Sequence, residues 1–438
     1  MPAKVTAIFD IGKTNKKLFL FDEQANVVYK KLAILPETVD EDGFACEDID
    51  LLENWIKQEL IKVIIDERYI VEKLNFSTYG ASLVHLNKKE ERITPLYNYL
   101  KPLPESISQY LYQQYKGKSI FCATTASPPM GMLNSGLQLL WLKKEKPTLF
   151  EQIDCSLHLP QYLSYLFTGK KCNELTSIGC HTALWNFVKD DFHNWIREEG
   201  LDVLFPPIEP YTKTTEIVFK GNKITCGIGL HDSSSALISY LIDKNEPFIL
   251  LSTGTWNIAL NPFNKEPLTV DELNNDCLSY ISYRGDPVKA SRLFFGNEHD
   301  YQIARMNNYF RKEPDYFKTV EFEEALVKKK VTPFYPSTME TVRGHLKVNE
   351  QEWILSEFKN FKQAYHQLIF ALVELQVKAI KLAKGNTKVT KLYIDGGFAK
   401  NVIFITLLKK RLKGFEIIAS DTSNASALGA FLLLNRSE

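Results

Sequence analysis

The opening of the chain alternates between short apolar runs and polar turns. Val5–Phe9, Lys17–Phe21 and Val27–Lys31 are runs of this kind, separated by turns that contain Asp and Asn. Such runs, joined by tight polar turns, predict a three-stranded antiparallel meander. Apolar residues at three- and four-residue spacing then predict an amphipathic helix over Ile49–Ile65. A further strand is predicted over Lys73–Thr78.

The strand–turn–strand pattern of the N-terminus recurs in the second half of the chain. Phe248–Leu251 is a predicted strand, Ser252–Thr255 a small polar turn and Trp256–Leu260 a returning strand. A repeat about 240 residues apart is too distant for a solenoid and indicates two domains of similar topology. We place these domains at residues 1–243 and 244–438.

Helical and strand patterns continue through both predicted domains, so the sequence favours an α/β fold. The further elements that it predicts are helices over 106–115, 135–144, 160–166, 230–242, 360–382, 401–412 and 425–434 and strands over 391–394 and 416–419.

Composition excludes several classes of function. The 53 basic residues balance the 53 acidic ones, so no global field would hold nucleic acid or an anionic membrane. The N-terminus lacks a secretory pattern, and no apolar run reaches the ~20 residues of a membrane span, which favours a cytoplasmic protein. The seven cysteines are scattered without a Cys-x-x-Cys pair, so we expect reduced thiols.

The turn at 10–15 is the first candidate for chemistry. Gly12 lets the backbone pass close to a ligand, and the N–H groups with the Thr14 and Asn15 side chains can donate to phosphate oxygens. Asp10, at the end of a strand, is suited to hold Mg²⁺ through water. The alternative is an ordinary hairpin turn, which also favours these residue types.

The second copy of the turn contains Thr253, Gly254 and Thr255, followed by Trp256. It too is compatible with a plain hairpin. Two equivalent turns, one in each domain, can however hold a triphosphate from both sides. Trp256 is a candidate floor for a sugar site, and its alternative is a core tryptophan of the second domain.

Asp232 begins a predicted helix, where the helix dipole stabilises its anion. A capping role is the alternative. Phosphoryl transfer to a hydroxyl needs an aspartate that accepts the proton, and Asp232 is the leading candidate for this base. His231 beside it either orients the sugar or the base, or caps the helix.

A strand-to-helix turn with two adjacent glycines follows the predicted strand at 391–394. The absence of side chains at Gly396 and Gly397 lets a flat base lie against the backbone, and Asn401 can hydrogen-bond its edge. A plain turn is a weak alternative, because paired glycines carry an entropic cost.

The order of these motifs resembles the FGGY family of carbohydrate kinases, within the actin, Hsp70 and sugar-kinase superfamily. Leu139–Leu142 is similar to the first family signature, and Ala371–Glu374 to its hinge-proximal helix. Tyr79–Gly80 and Pro287–Gly296 are similar to the rhamnulose and fuculose kinase branch. The resemblance spans the chain from Asp10 to Ala419.

The resemblance implies two actin-like, ribonuclease H-like domains with an interdomain cleft, and ATP and Mg²⁺ as cofactors. The first domain would hold the sugar and the base, and the second the nucleotide. The implied roles are Asp10 for Mg²⁺; Gly12, Lys13, Thr14, Asn15, Thr253, Gly254, Thr255, Gly396, Gly397 and Asn401 for ATP; Gly80, Ser82, His231, Asp232 and Trp256 for the sugar; and Asp232 as the base.

Several positions depart from the family pattern. Ala81 and Ser82 stand where relatives often have an acidic or other sugar-binding residue, Gln138 replaces a Lys, and Lys13 replaces a small Thr. The sugar pocket is therefore the part that the sequence determines least.

The expected function is phosphorylation of a ketose, with L-rhamnulose or L-fuculose favoured and D-xylulose open. One alternative is a sugar-sensing regulatory protein of the same fold with impaired catalysis. Another is an actin- or chaperone-like ATPase, which the lack of an additional substrate-binding domain disfavours. A homodimer is one option for assembly.

Overall fold

The computed structural model describes residues 2–243, 246–327, 347–348, 351–420 and 424–436. These residues form two compact units. Unit 1 is built from segments within 1–243, 279–287 and 424–438, and unit 2 from segments within 244–278 and 288–423.

The elements are numbered here in chain order. The strands are β1 Ala3–Ile11, β2 Lys16–Phe21, β3 Val27–Ala33, β4 Glu37–Val39, β5 Ala45–Glu47, β6 Tyr69–Thr78, β7 Leu83–Leu86, β8 Cys155–His158, β9 Trp185–Asn186, β10 Asp191–Phe192, β11 Thr214–Phe219, β12 Asn222–Gly227, β13 Leu230–His231, β14 Phe248–Thr253, β15 Asn257–Asn261, β16 Cys277–Ile281, β17 Pro287–Leu293, β18 Lys347–Val348, β19 Gln351–Glu352, β20 Lys391–Gly396 and β21 Glu416–Ala419. The helices are α1 Ile49–Ile64, α2 Glu105–Gln114, α3 Lys118–Thr124, α4 Ser135–Glu145, α5 Pro147–Phe150, α6 Leu159–Thr168, α7 Leu175–Ile178, α8 Asn194–Glu198, α9 Asp232–Asp243, α10 Val270–Asn274, α11 Phe295–Phe310, α12 Phe361–Lys384, α13 Val402–Arg411 and α14 Ala425–Asn435.

The main sheet of unit 1 has the strand order β11-β12-β6-β1-β2-β3, and β13 also pairs with β6. Strands β1, β2 and β3 are antiparallel neighbours, which confirms the predicted meander. Strand β6 runs parallel to β1, and β13 runs parallel to β6. Because these three parallel strands share a direction, their carboxyl ends lie at one edge of the sheet.

Helices cover both faces of this sheet, and alternate residues of β1 point to opposite sides. Phe9 belongs to the core that contains Leu52 and Ile56 of α1. Ile8 belongs to a second core, which contains Ile238 of α9 and residues of α14. Burial on both faces explains why β1 is a continuous apolar run.

Helices α9 and α14 pack closely in unit 1 because Gly429 has no side chain. A Cβ at that position would lie 1.8 Å from the carbonyl oxygen of Ser235. The Ser235 hydroxyl donates to the carbonyl oxygen of Ser426 at 2.6 Å. No local pattern predicted that α14 belongs to the same unit as β1.

The sheet of unit 2 has the order β16-β17-β15-β14-β20-β21. Strand β14 is antiparallel to β15 and parallel to β20, and β15 is antiparallel to β17. The strand order and directions of β21-β20-β14-β15-β17 therefore repeat those of β12-β6-β1-β2-β3 in unit 1. The returning strand begins at Asn257, one residue later than predicted.

The core of unit 2 is centred on α12, which buries residues such as Leu368 and Leu372 against β14, β20 and α13. Asn360 caps this helix by accepting the N–H of Gln363 at 2.9 Å. All seven cysteines are unbridged and buried, as predicted. Within the described ranges, no helix combines the length and apolar character required to cross a bilayer.

Candidate active site

The candidate site of unit 1 lies where the parallel strands β1, β6 and β13 end. Ile11 is in register with Thr78, and Thr78 is in register with His231. The residues around these three positions therefore follow neighbouring strands at one sheet edge. This topology brings together Asp10, Gly80 and Asp232, which are far apart in the sequence.

Asp10 is 5% exposed, and each of its carboxylate oxygens accepts one hydrogen bond. Lys17 Nζ lies 3.1 Å from Oδ2, and Ser426 Oγ lies 2.8 Å from Oδ1. Further lone pairs remain on both oxygens, which fits Mg²⁺ bound through water. Among the described residues, no three His, Cys, Asp or Glu side chains are grouped as a metal cage.

The loop at 12–15 is closed by a hydrogen bond from the N–H of Gly12 to the carbonyl oxygen of Asn15, at 2.9 Å. Thr14 and Asn15 are exposed to solvent. Lys13 Nζ pairs with Glu37 at 2.6 Å, and that carboxylate is half-exposed. The loop thus presents its polar groups outward, as a phosphate-binding turn requires.

Asp232 is the first residue of α9. Its Oδ1 accepts the N–H of Ser233 at 2.5 Å and the Ser233 hydroxyl at 3.2 Å. The side chain retains 33% of its exposure, although protein surrounds the carboxyl group on most sides. This burial and the negative charge of Asp10 raise the pKa of Asp232 to about 7. A pKa near neutrality suits a general base.

His231 is buried and neutral, because burial lowers the pKa of its imidazole to about 3. Its Nε2 lies 3.2 Å from Asp232 Oδ1 and 3.0 Å from Cys180 Sγ. Gly80 packs against the same group, since a Cβ there would lie 3.0 Å from the Cys180 sulfur and 3.1 Å from His231 Cδ2. Gly80, Cys180 and His231 therefore form one wall beside the carboxylate of Asp232.

The turn after Gly80 is held from within the protein. Gln138 Nε2 donates to the carbonyl oxygen of Ala81 at 2.8 Å, and Ala81 has a φ of 59°. Ser82 is buried, and its carbonyl oxygen accepts the N–H of Leu159 at 3.1 Å. The glutamine that departs from the family signature thus fixes a left-handed residue in the predicted sugar region.

The candidate site of unit 2 is built where β14 and β20 end side by side, with Thr253 in register with Gly396. The Thr253 hydroxyl donates to the carbonyl oxygen of Asp395 and accepts the N–H of Phe398 at 3.0 Å. Gly396 has a φ of 88°, and a Cβ there would lie 1.9 Å from the Thr253 carbonyl oxygen. Only glycine fits this approach of the two loops.

Gly254 and Thr255 are exposed at the tip of the β14–β15 turn. The N–H of Gly254 donates to the carbonyl oxygen of Trp256 at 3.0 Å, and the N–H of Gly296 donates to that of Thr255 at 3.1 Å. The Trp256 ring is half-buried and lies 4.2 Å from the ring of Phe294. The turn therefore has the same outward presentation as its counterpart in unit 1.

The glycine pair of β20 leads into α13. A Cβ at Gly397 would have no neighbour within 4 Å, so this position is open, as adenine stacking requires. Asn401 caps α13 by accepting the N–H of Phe404 at 3.0 Å, and its Nδ2 donates to the Tyr365 hydroxyl at 2.8 Å. Burial raises the pKa of Asp395 to about 6.

Residues that sequence reasoning missed complete the site of unit 1. Lys17 lies directly opposite Asp10 in the β1–β2 register, so the hairpin pattern could have identified this pair. Ser426 and Cys180 come from distant parts of the chain and gave no local signal. The same is true of Tyr99, whose pKa is raised to about 12 by burial and by the charge of Asp232.

The model of the FGGY family of carbohydrate kinases, N-terminal domain, matches residues 5–216, and that of the carbohydrate kinase FGGY, C-terminal domain, matches residues 245–438. The chain belongs to the FGGY family of carbohydrate kinases. This FGGY protein is 25% identical over 228 residues to a rhamnulokinase of Oceanobacillus iheyensis, covering 50% of the chain and 47% of the relative. A rhamnulokinase of Klebsiella pneumoniae is 26% identical over 249 residues, covering 54% and 49%. These alignments thus span about half the length of the curated relatives.

Solved structures show that the fold is shared over nearly the whole chain. A carbohydrate kinase from Novosphingobium aromaticivorans has a TM-score of 0.77 at 22% identity, covering 99% of the FGGY protein and 92% of that chain. A ligand-bound xylulose kinase from Lactobacillus acidophilus has a TM-score of 0.79 at 18% identity, covering 98% and 89%. The predicted two-domain, actin-like α/β fold is confirmed.

Proposed function

We propose that this FGGY protein is an ATP-dependent kinase that phosphorylates a hydroxyl group of a ketose, with Asp232 as the general base. The observation that carries the proposal is the carboxylate of Asp232, whose pKa is raised to about 7 at the same sheet edge as Asp10. A group with this pKa is half-ionised at neutral pH, so it can accept a proton and release it again after each turnover.

The proposed step is a transfer of the γ-phosphoryl group. As the sugar oxygen forms its bond to phosphorus, its proton passes to Asp232, and the bond from phosphorus to the bridging oxygen of ADP breaks. His231, held neutral at 3.2 Å from the carboxylate, orients Asp232 without supplying a competing positive charge. Magnesium bound near Asp10 would neutralise charge on the phosphate oxygens.

We assign the nucleotide to three loops. The turn at 12–15 in unit 1 and the turn at 253–255 in unit 2 would donate to the phosphates, since both expose their tips. The open position at Gly397 would receive the adenine, beside the tight turn at Gly396. A sugar domain at 1–243 and a nucleotide domain at 244–438 remain part of this proposal, with segments within 279–287 and 424–438 packing in unit 1.

The favoured acceptors are L-rhamnulose and L-fuculose, with D-xylulose as a further candidate. Two curated relatives of the FGGY protein are rhamnulokinases, and a structural neighbour is a xylulose kinase. The wall of Gly80, Cys180 and His231 would face the sugar. Its glycine at position 80 lets the backbone approach the imidazole closely, since a Cβ there would lie 3.1 Å from the ring.

The test is incubation of the wild-type protein with Mg²⁺, labelled ATP and each of the three ketoses, followed by separation of sugar phosphate from free phosphate. We expect sugar phosphate with at least one ketose, and loss of its formation in Asp232→Asn. The matched control Asp191→Asn changes a half-exposed aspartate of unit 1 that pairs with Arg197, and it should keep wild-type turnover.

Other outcomes would point elsewhere. Free phosphate alone would indicate an ATPase. Ketose binding without any product from the wild-type protein would indicate the alternative, a sugar-sensing regulatory protein. Wild-type turnover in Asp232→Asn would remove this residue from the mechanism.

A further inference from the structure

A buried lysine lies beneath the loop at 12–15 and is not needed for the chemistry proposed above. Lys16, the first residue of β2, is 1% exposed. Its Nζ donates to the carbonyl oxygen of Gly12 at 3.1 Å and to that of Lys13 at 2.9 Å. It also pairs with the carboxylate of Glu47 at 2.8 Å. The three protons of the ammonium group thus have three different acceptor groups.

This contact determines which way the loop's peptide groups face. In a trans peptide the C=O and the following N–H point in opposite directions. Because the carbonyls of Gly12 and Lys13 are drawn inward to Lys16, the N–H groups of Lys13 and Thr14 are directed away from the ammonium. Throughout the described residues, neither of these two N–H groups has a hydrogen-bond acceptor. Successive outward N–H groups of this kind form an anion-binding concavity.

The ion pair beneath the loop also has little value as a purely structural feature. Lys16 and Glu47 are 1% and 4% exposed. The free-energy penalty of removing both charges from water offsets much of the attraction between them. Two apolar residues could fill the same space with similar stability. They could not, however, hold two carbonyl oxygens on the inner side of the loop.

The partner carboxylate is itself fixed. Glu47 ends the short strand β5 and accepts the hydroxyl of Tyr79 at 3.2 Å. Tyr79 precedes Gly80, and its N–H donates to the carbonyl oxygen of Ile11 at 3.0 Å. The ammonium of Lys16 is therefore held beneath the loop by a carboxylate that is itself hydrogen-bonded.

We propose that Lys16 is a positioning residue for nucleotide binding: by holding the carbonyls of Gly12 and Lys13 inward, it presents the N–H groups of Lys13 and Thr14 to phosphate oxygens. The inference rests on the proposed function, because it names the ATP phosphates as the anion. The two adjacent lysines of β2 point to opposite faces of the strand and therefore have different roles. Lys17 contacts Asp10, and Lys16 shapes the loop.

The test compares three variants. Lys16→Met/Glu47→Gln removes the amino group and neutralises its partner, so that no unpaired charge is left buried. Glu47→Gln alone is the reference, since it keeps the amino group and thus its donation to both carbonyls. Lys31→Met, on the exposed strand β3, is the matched control and should equal the wild type. For each protein, the KM for ATP, the KM for the ketose, the ATP dissociation constant and the melting temperature are measured.

We expect the double variant to have a KM and a dissociation constant for ATP about tenfold or more above those of Glu47→Gln, equivalent to the loss of one charge-assisted hydrogen bond. The KM for the ketose should change far less. If the double variant melts at a lower temperature but binds ATP as Glu47→Gln does, Lys16 is only structural and the inference is wrong. If the wild-type protein binds no ATP at all, the proposed function fails and the inference fails with it.

Discussion

The pH dependence of turnover follows from the environment of Asp232. The proposed base acts only when it is ionised, and burial together with the charge of Asp10 places its pKa at about 7. An aspartate in water has its pKa near 3.8, so an ordinary surface aspartate would be fully ionised throughout the physiological range. We therefore predict that kcat/KM rises with pH across neutrality.

The size of this rise can be worked out from the pKa. At a pKa of about 7, roughly a tenth of the carboxyl groups are ionised at about pH 6 and roughly nine-tenths at about pH 8. The rate at limiting ketose should thus increase roughly tenfold over this interval. At about pH 8, Asp232→Asn should lose the ~10²–10⁴-fold that a positioned base contributes.

The assay is a coupled measurement of ADP release at saturating ATP and Mg²⁺, between about pH 5.5 and 9. The residual rate of Asp232→Asn corrects for ionisation of ATP itself. Ser233→Ala provides a second check. The Ser233 hydroxyl donates to Oδ1 at 3.2 Å and thereby lowers the pKa of Asp232, so its removal should raise that pKa. The profile of the variant should shift to higher pH. A profile that is flat from pH 6 to 8 in the wild-type protein would refute the reasoning.

Three further predictions concern stability and substrate binding. Gly396→Ala should lower the free energy of unfolding by roughly 2–4 kcal/mol, because its Cβ would lie 1.9 Å from a carbonyl oxygen at a φ of 88°. Gly397→Ala introduces a Cβ with no neighbour within 4 Å, so the free energy of unfolding should stay within about 0.5 kcal/mol of the wild-type value. Burial raises the pKa of Glu174 from 4.5 to about 7, so its contribution to stability is complete below about pH 4.5 and is lost as the pH rises through 7. The free energy of unfolding of Glu174→Gln should therefore fall less between about pH 5 and 8 than that of the wild type, by roughly 2–3 kcal/mol. Gly80→Ala should raise the KM for the ketose several-fold with little change for ATP, because the new methyl group would crowd His231 at 3.1 Å.

Denaturant unfolding at fixed pH measures the first two predictions, and steady-state kinetics with each substrate varied measures the third. Equal stabilities of Gly396→Ala and Gly397→Ala would contradict the steric argument. An unchanged pH dependence in Glu174→Gln would show that this carboxyl group is ionised in the folded protein. A rise in the KM for ATP alone in Gly80→Ala would place the sugar elsewhere.

The sequence predicted the parts of the fold that local patterns determine. The β1–β2–β3 meander and the β14–β15 hairpin each have a short apolar repeat and a polar turn, and both were predicted within a few residues. The parallel pairing of β1 with β6 was not predicted, because strands about sixty residues apart carry no local signal of their register. Short elements such as β4 and α7 carry too few residues for a periodic signal.

The remaining features depend on contacts between distant residues. Ser426 reaches Asp10 from the last described helix, and Cys180 reaches His231 from the turn after α7. Neither residue type is diagnostic, and no spacing relates the partners. The role of Lys16 was likewise not predicted, because two adjacent lysines at the start of a strand are normally exposed to solvent. Only the structure shows that Lys16 is buried and paired with Glu47.

The closure of unit 1 by α14 has a consequence for how the protein is made. Ser426, the hydroxyl partner of Asp10, is synthesised more than four hundred residues after β1. Until then, the α9 surface around Ser235 that receives Gly429 has no cover from its native neighbour. The packing of α14 on α9 and the Ser426–Asp10 hydrogen bond therefore form only after α14 has been synthesised, although β1 and α9 are made much earlier.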